Sequence, residues 1–264
     1  MNDTATLRGD YRNIGPDYAV WQDWDAYTPE QHALYRRLYE RQSALVPRLA
    51  CPEFISALAR LNAGAGIPRF DEVSKDLKAA TGWVIVPVPG LVPDEVFFEH
   101  LANRRFPVTV WLRTPEEFDY IVEPDVFHDF FGHVPLLFDQ HYADHMQEYG
   151  KGGLKALRLG GLKFLARLYW YTIEFGLTNT PAGVRAYGAG LLSSGGELSY
   201  AVESPQPARR PFELMTVMRS SYRIDAYQDQ YFVIDGFAHL LRETAPDFTP
   251  LYAQLVAEQG GANA

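Results

Sequence analysis

The chain contains one cysteine, Cys51, so it can form no internal disulfide, and a CxxC metal or redox site is excluded. It has no run of Lys and Arg of the kind that marks a membrane-surface patch. Met1 to Asn13 is polar and lacks the apolar core of a signal segment. No long apolar stretch is free of charge: the most apolar one, Leu154 to Leu177, carries Lys155, Arg158, Lys163, Arg167 and Glu174, which a membrane span would not tolerate. There is no internal repeat and no low-complexity linker. Positive charge is in deficit, with a net charge of −9 and a pI near 5.3. Such a surface repels phosphate backbones, so nucleic acid is not an expected partner. These absences describe a protein of a reducing, cytoplasmic compartment with no membrane partner.

Apolar residues make up 47% of the 264 residues, ample for the core of one large domain or two small ones. Sixteen Phe, sixteen Tyr and five Trp supply much of that core and could wall a site for a flat ligand. Residues 1 to about 25 read as an extended arm, and the Gln-Gly-Gly-Ala-Asn-Ala tail after Glu258 as frayed. Thr28-Pro29-Glu30-Gln31 predicts a helix start with a capping box, and Leu34, Leu38, Leu45 and Leu49 mark its apolar face. Helices are expected near Glu53–Asn62, Glu72–Ala80 and Asp94–Asn103, with strands at Trp83–Val88 and Val108–Arg113. Further helices are expected at Pro124–Phe138, Leu154–Leu177, Gly196–Glu203, Pro211–Met218, Gly236–Glu243 and Pro250–Glu258. The class is mainly α with minor β.

The chemistry concentrates in Glu123-Pro124-Asp125-Val126-Phe127-His128-Asp129-Phe130-Phe131-Gly132-His133-Val134-Pro135. Imidazole is a good ligand for Fe, Zn, Cu and Ni. On a regular helix, however, a five-residue step turns about 140° off the face, so His128 and His133 would diverge. Gly132 and Pro135 allow the helix to end or distort and His133 to swing back. The spacing differs from HExxH, since Asp129 stands where the glutamate base would be and the second His is one residue late. The alternative is a structural His pair. A third donor weighs against it: Glu174 is the one acid in the aromatic segment Leu165–Leu177, and a buried carboxylate is costly unless paired with a cation. Its competing partners are Arg158 and Arg167 on the same helix. Two imidazoles and one carboxylate form a facial triad that leaves three cis positions open on octahedral Fe(II). Structural zinc would need a fourth donor, and neither segment offers a cysteine for it.

Trp170, four residues before Glu174, would project from the same helical face, although a Trp there is more simply core. Arg113 at a strand end could grip a carboxylate bidentately; by spacing alone, a surface pair with Glu116 or Glu117 competes and is favoured. Neither Gly150-Lys151-Gly152-Gly153 nor Gly188 to Glu197 has the spacing of a phosphate loop.

Four strings extend this reading: Thr81-Gly82-Trp83 through Pro89-Gly90-Leu91, Glu123 through Pro135, Tyr169 through Leu177, and Ala186-Tyr187-Gly188-Ala189-Gly190-Leu191-Leu192-Ser193-Ser194. In this order they resemble the catalytic domain of the biopterin-dependent aromatic amino acid hydroxylases, above all the short bacterial phenylalanine-hydroxylating branch, from about Trp21 to Phe248. The resemblance implies a single basket-like catalytic domain, placed at 26–258 between an arm (1–25) and a flexible tail (259–264). It implies Fe(II) held by His128, His133 and Glu174, and a tetrahydropterin (tetrahydrobiopterin or a relative) beside Gly90, Leu91, Val92, Phe97 and Asp129. It implies a substrate pocket formed by Arg113, Trp170, Gly190, Ser193 and Tyr231, with Arg113 on the substrate carboxylate, which reverses the spacing-only preference. Ser193 and Glu197 are implied as supports of the iron ligands.

The reaction so implied is hydroxylation of L-phenylalanine to L-tyrosine with O₂. A tryptophan or tyrosine hydroxylase on the same scaffold and a non-catalytic binding protein of the same fold are the alternatives. Compared with animal members, Asp129 stands for a glutamate, Ile121 for a threonine and Asp94 for a serine. The animal regulatory domain and tetramerisation helix have no counterpart in the sequence, so a monomer is expected.

Overall fold

The computed structural model describes residues 7–12, 14–61 and 63–261; positions 1–6, 13, 62 and 262–264, which include parts of the expected arm and tail, lie outside the described residues. The first helix, α1 (Pro29–Leu49), starts where the capping box places it: Thr28 Oγ1 accepts from Gln31 N, and Gln31 Oε1 accepts from Thr28 N. Then come α2 (Pro52–Arg60) and α3 (Phe70–Thr81), the latter stopped by Gly82 at φ 81°. Strand β1 (Val84–Val88), helix α4 (Asp94–Ala102) and strand β2 (Arg105–Thr109) form a parallel crossover, with Val84 opposite Arg105 and Val88 opposite Thr109. The second strand thus lies three residues earlier than the alternation at Val108–Arg113 suggests, because its ladder runs only as far as β1 does.

The expected continuous helix at Leu154–Leu177 is instead the end of α5 (Gln140–Leu159), a break at Gly160-Gly161, and α6 (Leu162–Tyr169). Gly160 takes the left-handed φ of 70° that closes α5. Helix α5 packs against α4 on Gly150 and Gly153: a Cβ on either would run into Leu101 or Phe98. That close packing is the structural use of the Gly150–Gly153 string.

A four-stranded sheet follows: β3 (Leu177–Thr180) and β4 (Gly183–Ala186) pair antiparallel, and, beyond α7 (Ala189–Ser193) and α8 (Glu197–Glu203), come β5 (Ala208–Pro211), α9 (Leu214–Arg219) and β6 (Gln230–Ile234). The strand order is β4-β3-β6-β5, with β6 parallel to both neighbours. Helices α10 (Phe237–Thr244) and α11 (Thr249–Gly261) complete the described residues. The fold is mainly helical with small sheets, as expected. Among the described residues no helix is long and apolar enough to cross a membrane.

One aromatic-rich core joins these elements, including Tyr35, Phe54, Phe70, Trp83, Phe106, Phe127, Phe130, Phe131 and Tyr171. The two segments that carry the histidines and Glu174 contribute Phe127, Phe130, Phe131, Tyr171 and Ile173 to it, so the site is built on packed elements.

Candidate metal centre

The two histidines belong to one turn, His128–His133, and that turn is a π-helix. In a π-helix the backbone bonds run from residue i to i+5, so each turn takes in more residues than an α-turn. A five-residue step then returns to nearly the same face, and the two imidazole centroids stand 5.2 Å apart. The divergence that a regular helix would impose is removed by changing the helix type. Gly132 makes room, since a Cβ there would come within 2.9 Å of both the Ala189 side chain and its carbonyl oxygen.

Glu174 comes from a second π-helical turn, Trp170–Glu174, at the end of α6, where Phe175 N bonds Trp170 O across five residues at 2.8 Å. Its carboxylate is buried, 9% exposed, and faces both imidazoles: Oε1 is 3.2 Å from His133 Nε2 and Oε2 is 3.6 Å from His128 Nε2. Arg167 does not neutralise it, because that guanidinium donates to the carbonyls of Met218 and Arg219. Burial works to raise the Glu174 pKa, but His133 and His128, when they carry the positive charge of imidazolium, outweigh it and hold the carboxyl down at about 2. One donor atom from each of the three residues lies within 4.8 Å of the others.

The tautomer of His128 can be deduced. Ser193 Oγ donates to Ala189 O at 2.8 Å, so at its 2.9 Å contact with His128 Nδ1 it must accept. Nδ1 therefore carries the proton, and a neutral His128 turns a lone pair from Nε2 toward the Glu174 carboxylate. A lone pair facing an anion is repulsive, and a cation between them removes the conflict. The donor set fits a divalent metal with nitrogen and oxygen ligands and open positions, in keeping with Fe(II). The small residues of the Gly188–Ser193 stretch serve the same site. A Cβ at Gly188 would run into the Glu174 carbonyl, and one at Gly190 would lie 3.1 Å from Glu174 Oε2. These glycines let backbone and carboxylate approach each other rather than cradle a phosphate.

Arg113 lies four residues past β2, 4% exposed, and its partner is Asp125 rather than Glu116 or Glu117. Nε bonds Asp125 Oδ2 at 2.8 Å and Nη2 bonds Oδ1 at 2.9 Å, which leaves the other edge of the guanidinium for a second carboxylate. The same Asp125 accepts from the backbone N of Arg113 at 2.9 Å and of His128 at 3.0 Å. Asp125 thereby couples the arginine to the first histidine. Sequence reasoning missed it, although an Asp three residues before His128 at the start of a helical turn is a capping signal. Trp170 is half-buried between Phe175 and Tyr222, with ring centroids 4.6 and 4.4 Å away. Tyr231 is fully buried, and its hydroxyl donates to Glu197 Oε1 at 2.7 Å. Burial raises the Glu197 pKa, while the bonds from Gln228 N and Tyr231 pull it back.

Gly90 and Leu91 follow β1, and Val92 leads into α4, which carries Phe97. The Phe97 ring lies 5.9 Å from that of Tyr169, which in turn lies 6.4 Å from His133. Tyr169 thus stands between Phe97 and the ring of His133. Tyr169 also helps to hold the Glu174 carboxyl down, an influence visible only in the fold. Asp129 Oδ2 accepts from Thr109 N at 2.8 Å, and burial raises its pKa against the pull of His128.

A model of the biopterin-dependent aromatic amino acid hydroxylases matches residues 22–249. The chain belongs to this family. It is 57% identical over 244 residues to a phenylalanine-4-hydroxylase of Chromobacterium violaceum, covering 92% of this chain and 82% of that protein. To one of Ralstonia nicotianae it is 56% identical, covering 93% and 79%. The solved structure of the Chromobacterium violaceum phenylalanine hydroxylase with iron and phenylalanine bound superimposes with a TM-score of 0.88 at 54% identity, covering 96% of this chain and 91% of that one. In this hydroxylase-family chain, the structure brings His128, His133, Glu174, Gly190 and Ser193 into one cluster with Asp129 adjoining. Arg113 is tied to it through Asp125, and Phe97 through Tyr169. Tyr231 is joined to Glu197, whose Oε1 also accepts from Gln228 N, and not to a metal donor.

Proposed function

We propose that this chain is a non-heme iron, tetrahydropterin-dependent monooxygenase that converts L-phenylalanine to L-tyrosine with O₂. The observation that carries this reading is the convergence of His128, His133 and Glu174, with Ser193 setting the tautomer that turns His128 Nε2 toward the shared point. Bound together, the iron and the tetrahydropterin supply the activation of O₂, and the protein's work is placement. His128, His133 and Glu174 would hold the metal. Arg113, pre-aligned by Asp125, grips the amino acid carboxylate with its free edge. Trp170 and Gly190 wall the pocket, and the reading adds Ser193 and Tyr231 to that lining. Gly90, Leu91, Val92, Phe97 and Asp129 form the pterin side, where Phe97 offers a ring to stack on. The aromatic walls keep water from the reacting centre.

The catalytic domain is taken as 26–258, with an arm before it and a short tail after. A monomer in the cytoplasm fits a chain whose one thiol, Cys51, is buried and pushed up in pKa by that burial. The test is incubation with Fe(II), a tetrahydropterin and, in parallel, phenylalanine, tryptophan or tyrosine in air. Tyrosine should form from phenylalanine, Fe(II) but not Zn(II) should restore metal-stripped protein, and Glu174→Ala should lose both iron and turnover. Undiminished turnover by Glu174→Ala would sink the reading.

A further inference from the structure

The segment ahead of α1 takes no part in the chemistry above, yet it lies on the loop assigned to the pterin. Tyr11 donates its hydroxyl to Leu91 O at 3.0 Å. Arg8 N bonds Glu123 Oε2 at 3.2 Å, and the Arg8 guanidinium pairs with Glu117 and lies 5.2 Å from the centre of the Trp111 ring. Between them, Gly9 at φ 96° passes so close to Pro89 that a Cβ would run into the Pro89 carbonyl. Gly90 answers from the other side: a Cβ there would stand 2.7 Å from Tyr11 Oη and 3.1 Å from Arg8 O. Farther along, Asp17 O meets His100 Nε2 at 2.8 Å, and Asp17 pairs with Arg105 at 3.0 Å. His100 is on α4, the helix that carries Phe97, so the arm touches both walls of the predicted pterin cleft, the loop and the helix.

The bond to Leu91 has a consequence one residue on. The peptide unit is planar and trans, so the Val92 N–H points opposite to the Leu91 carbonyl. Holding that carbonyl toward the arm aims the Val92 N–H away from the arm. A pterin ring carries donors and acceptors along its edge, and backbone groups in a fixed orientation are what such an edge reads. The loop could not hold this orientation by itself, since Gly90 at φ 151° is conformationally permissive.

We propose that Tyr11, seated by the Gly9–Pro89 contact, is a positioning residue for the tetrahydropterin: it straps the Gly90–Val92 loop into the conformation that binds the ring. This rests on the assignment of that loop to the pterin. The strap consists of single hydrogen bonds and exposed ion pairs, each of modest worth, so it tunes affinity and does not create the site.

The test uses full-length, iron-loaded protein and 7,8-dihydrobiopterin, which reports binding without turnover, in calorimetric titrations. Tyr11→Phe should weaken binding about 3- to 10-fold, the worth of one hydrogen bond. Gly9→Ala, which forces the arm off Pro89, should weaken it at least as much. In both variants amide hydrogen exchange at residues 90–92 should accelerate, while iron content and phenylalanine affinity stay within about twofold. Unchanged dihydrobiopterin affinity in both variants overturns the proposal, as does a parallel fall in phenylalanine affinity, which would mark a general structural role. Wild-type protein that binds no dihydrobiopterin would overturn the loop assignment itself.

Discussion

His128 and His133 share one π-helical turn and one carboxylate, but they are fixed by opposite means. His128 is part-exposed and tethered by polar bonds at both ends, its backbone N to Asp125 and its Nδ1 to Ser193. His133 is 3% exposed, and no described protein group bonds its buried Nδ1. What orients it is packing: Phe106 lies 5.0 Å from its ring centre and Tyr169 6.4 Å, with Gly132 and Ala189 pressed together behind. Hydrogen bonds fix a tautomer and a direction, whereas packing fixes a position and leaves the tautomer to the metal. The half-open side of the site thus relies on directional bonds, and the closed side on volume.

The largest effect should come from the packed side. Phe106 is 2% exposed on β2. Phe106→Ala should cost about 3–5 kcal/mol of stability, as large-to-small changes at buried aromatics do. Because the cavity opens beside His133, iron affinity should fall as well. Urea unfolding and metal titration check the two effects separately. A destabilised protein that still binds iron normally would show that His133 does not depend on this packing.

On the tethered side the effect should be smaller and differently distributed. Ser193→Ala removes the acceptor that fixes the His128 tautomer, and loss of such a partner costs about 10- to 100-fold in metal affinity. Unfolding of the metal-free protein should change by only about 1–3 kcal/mol, the worth of the two bonds that Ser193 makes to Ala189 and His128. Iron affinity equal to that of the unaltered protein would break the contrast between the two histidines.

This contrast also marks where the sequence was legible. The capping box at Thr28 and the stop at Gly82 are local signals, and the helices they bound formed there. The carboxylate in an aromatic segment was legible as a cation partner because burial penalises it wherever it sits. The histidine spacing argued against convergence, since it was measured on an α-helical ruler. A π-turn has no propensity signature, and this one is accompanied by tertiary fit between Gly132 and Ala189. The family resemblance, carried by whole strings, supplied the ligand set that spacing could not. Strands β3 to β6 went unread because each has only four or five residues and pairs across as many as 56 positions, as Leu177 does with Val233. The capping role of Asp125 is a local signal that the sequence offered, whereas its pairing with Arg113 exists only once the two are folded together.

The smallest predicted effect is the control that gives the other two their meaning. Thr28→Ala removes the side-chain acceptor for Gln31 N at the start of α1. Loss of an N-cap costs about 1 kcal/mol, or about 2–4 °C in melting temperature for a chain of this size. Thr28 is an exposed residue whose side chain bonds within the first turn of α1. If the native protein binds iron and the unfolded chain does not, destabilising both metal-free and metal-bound forms equally leaves the intrinsic iron affinity unchanged. Thr28→Ala should therefore melt earlier and bind iron as tightly as the unaltered chain, by the same titration used for Phe106→Ala. A fall in affinity here would mean that iron binding follows global stability, and the separate accounts of His128 and His133 would collapse into one.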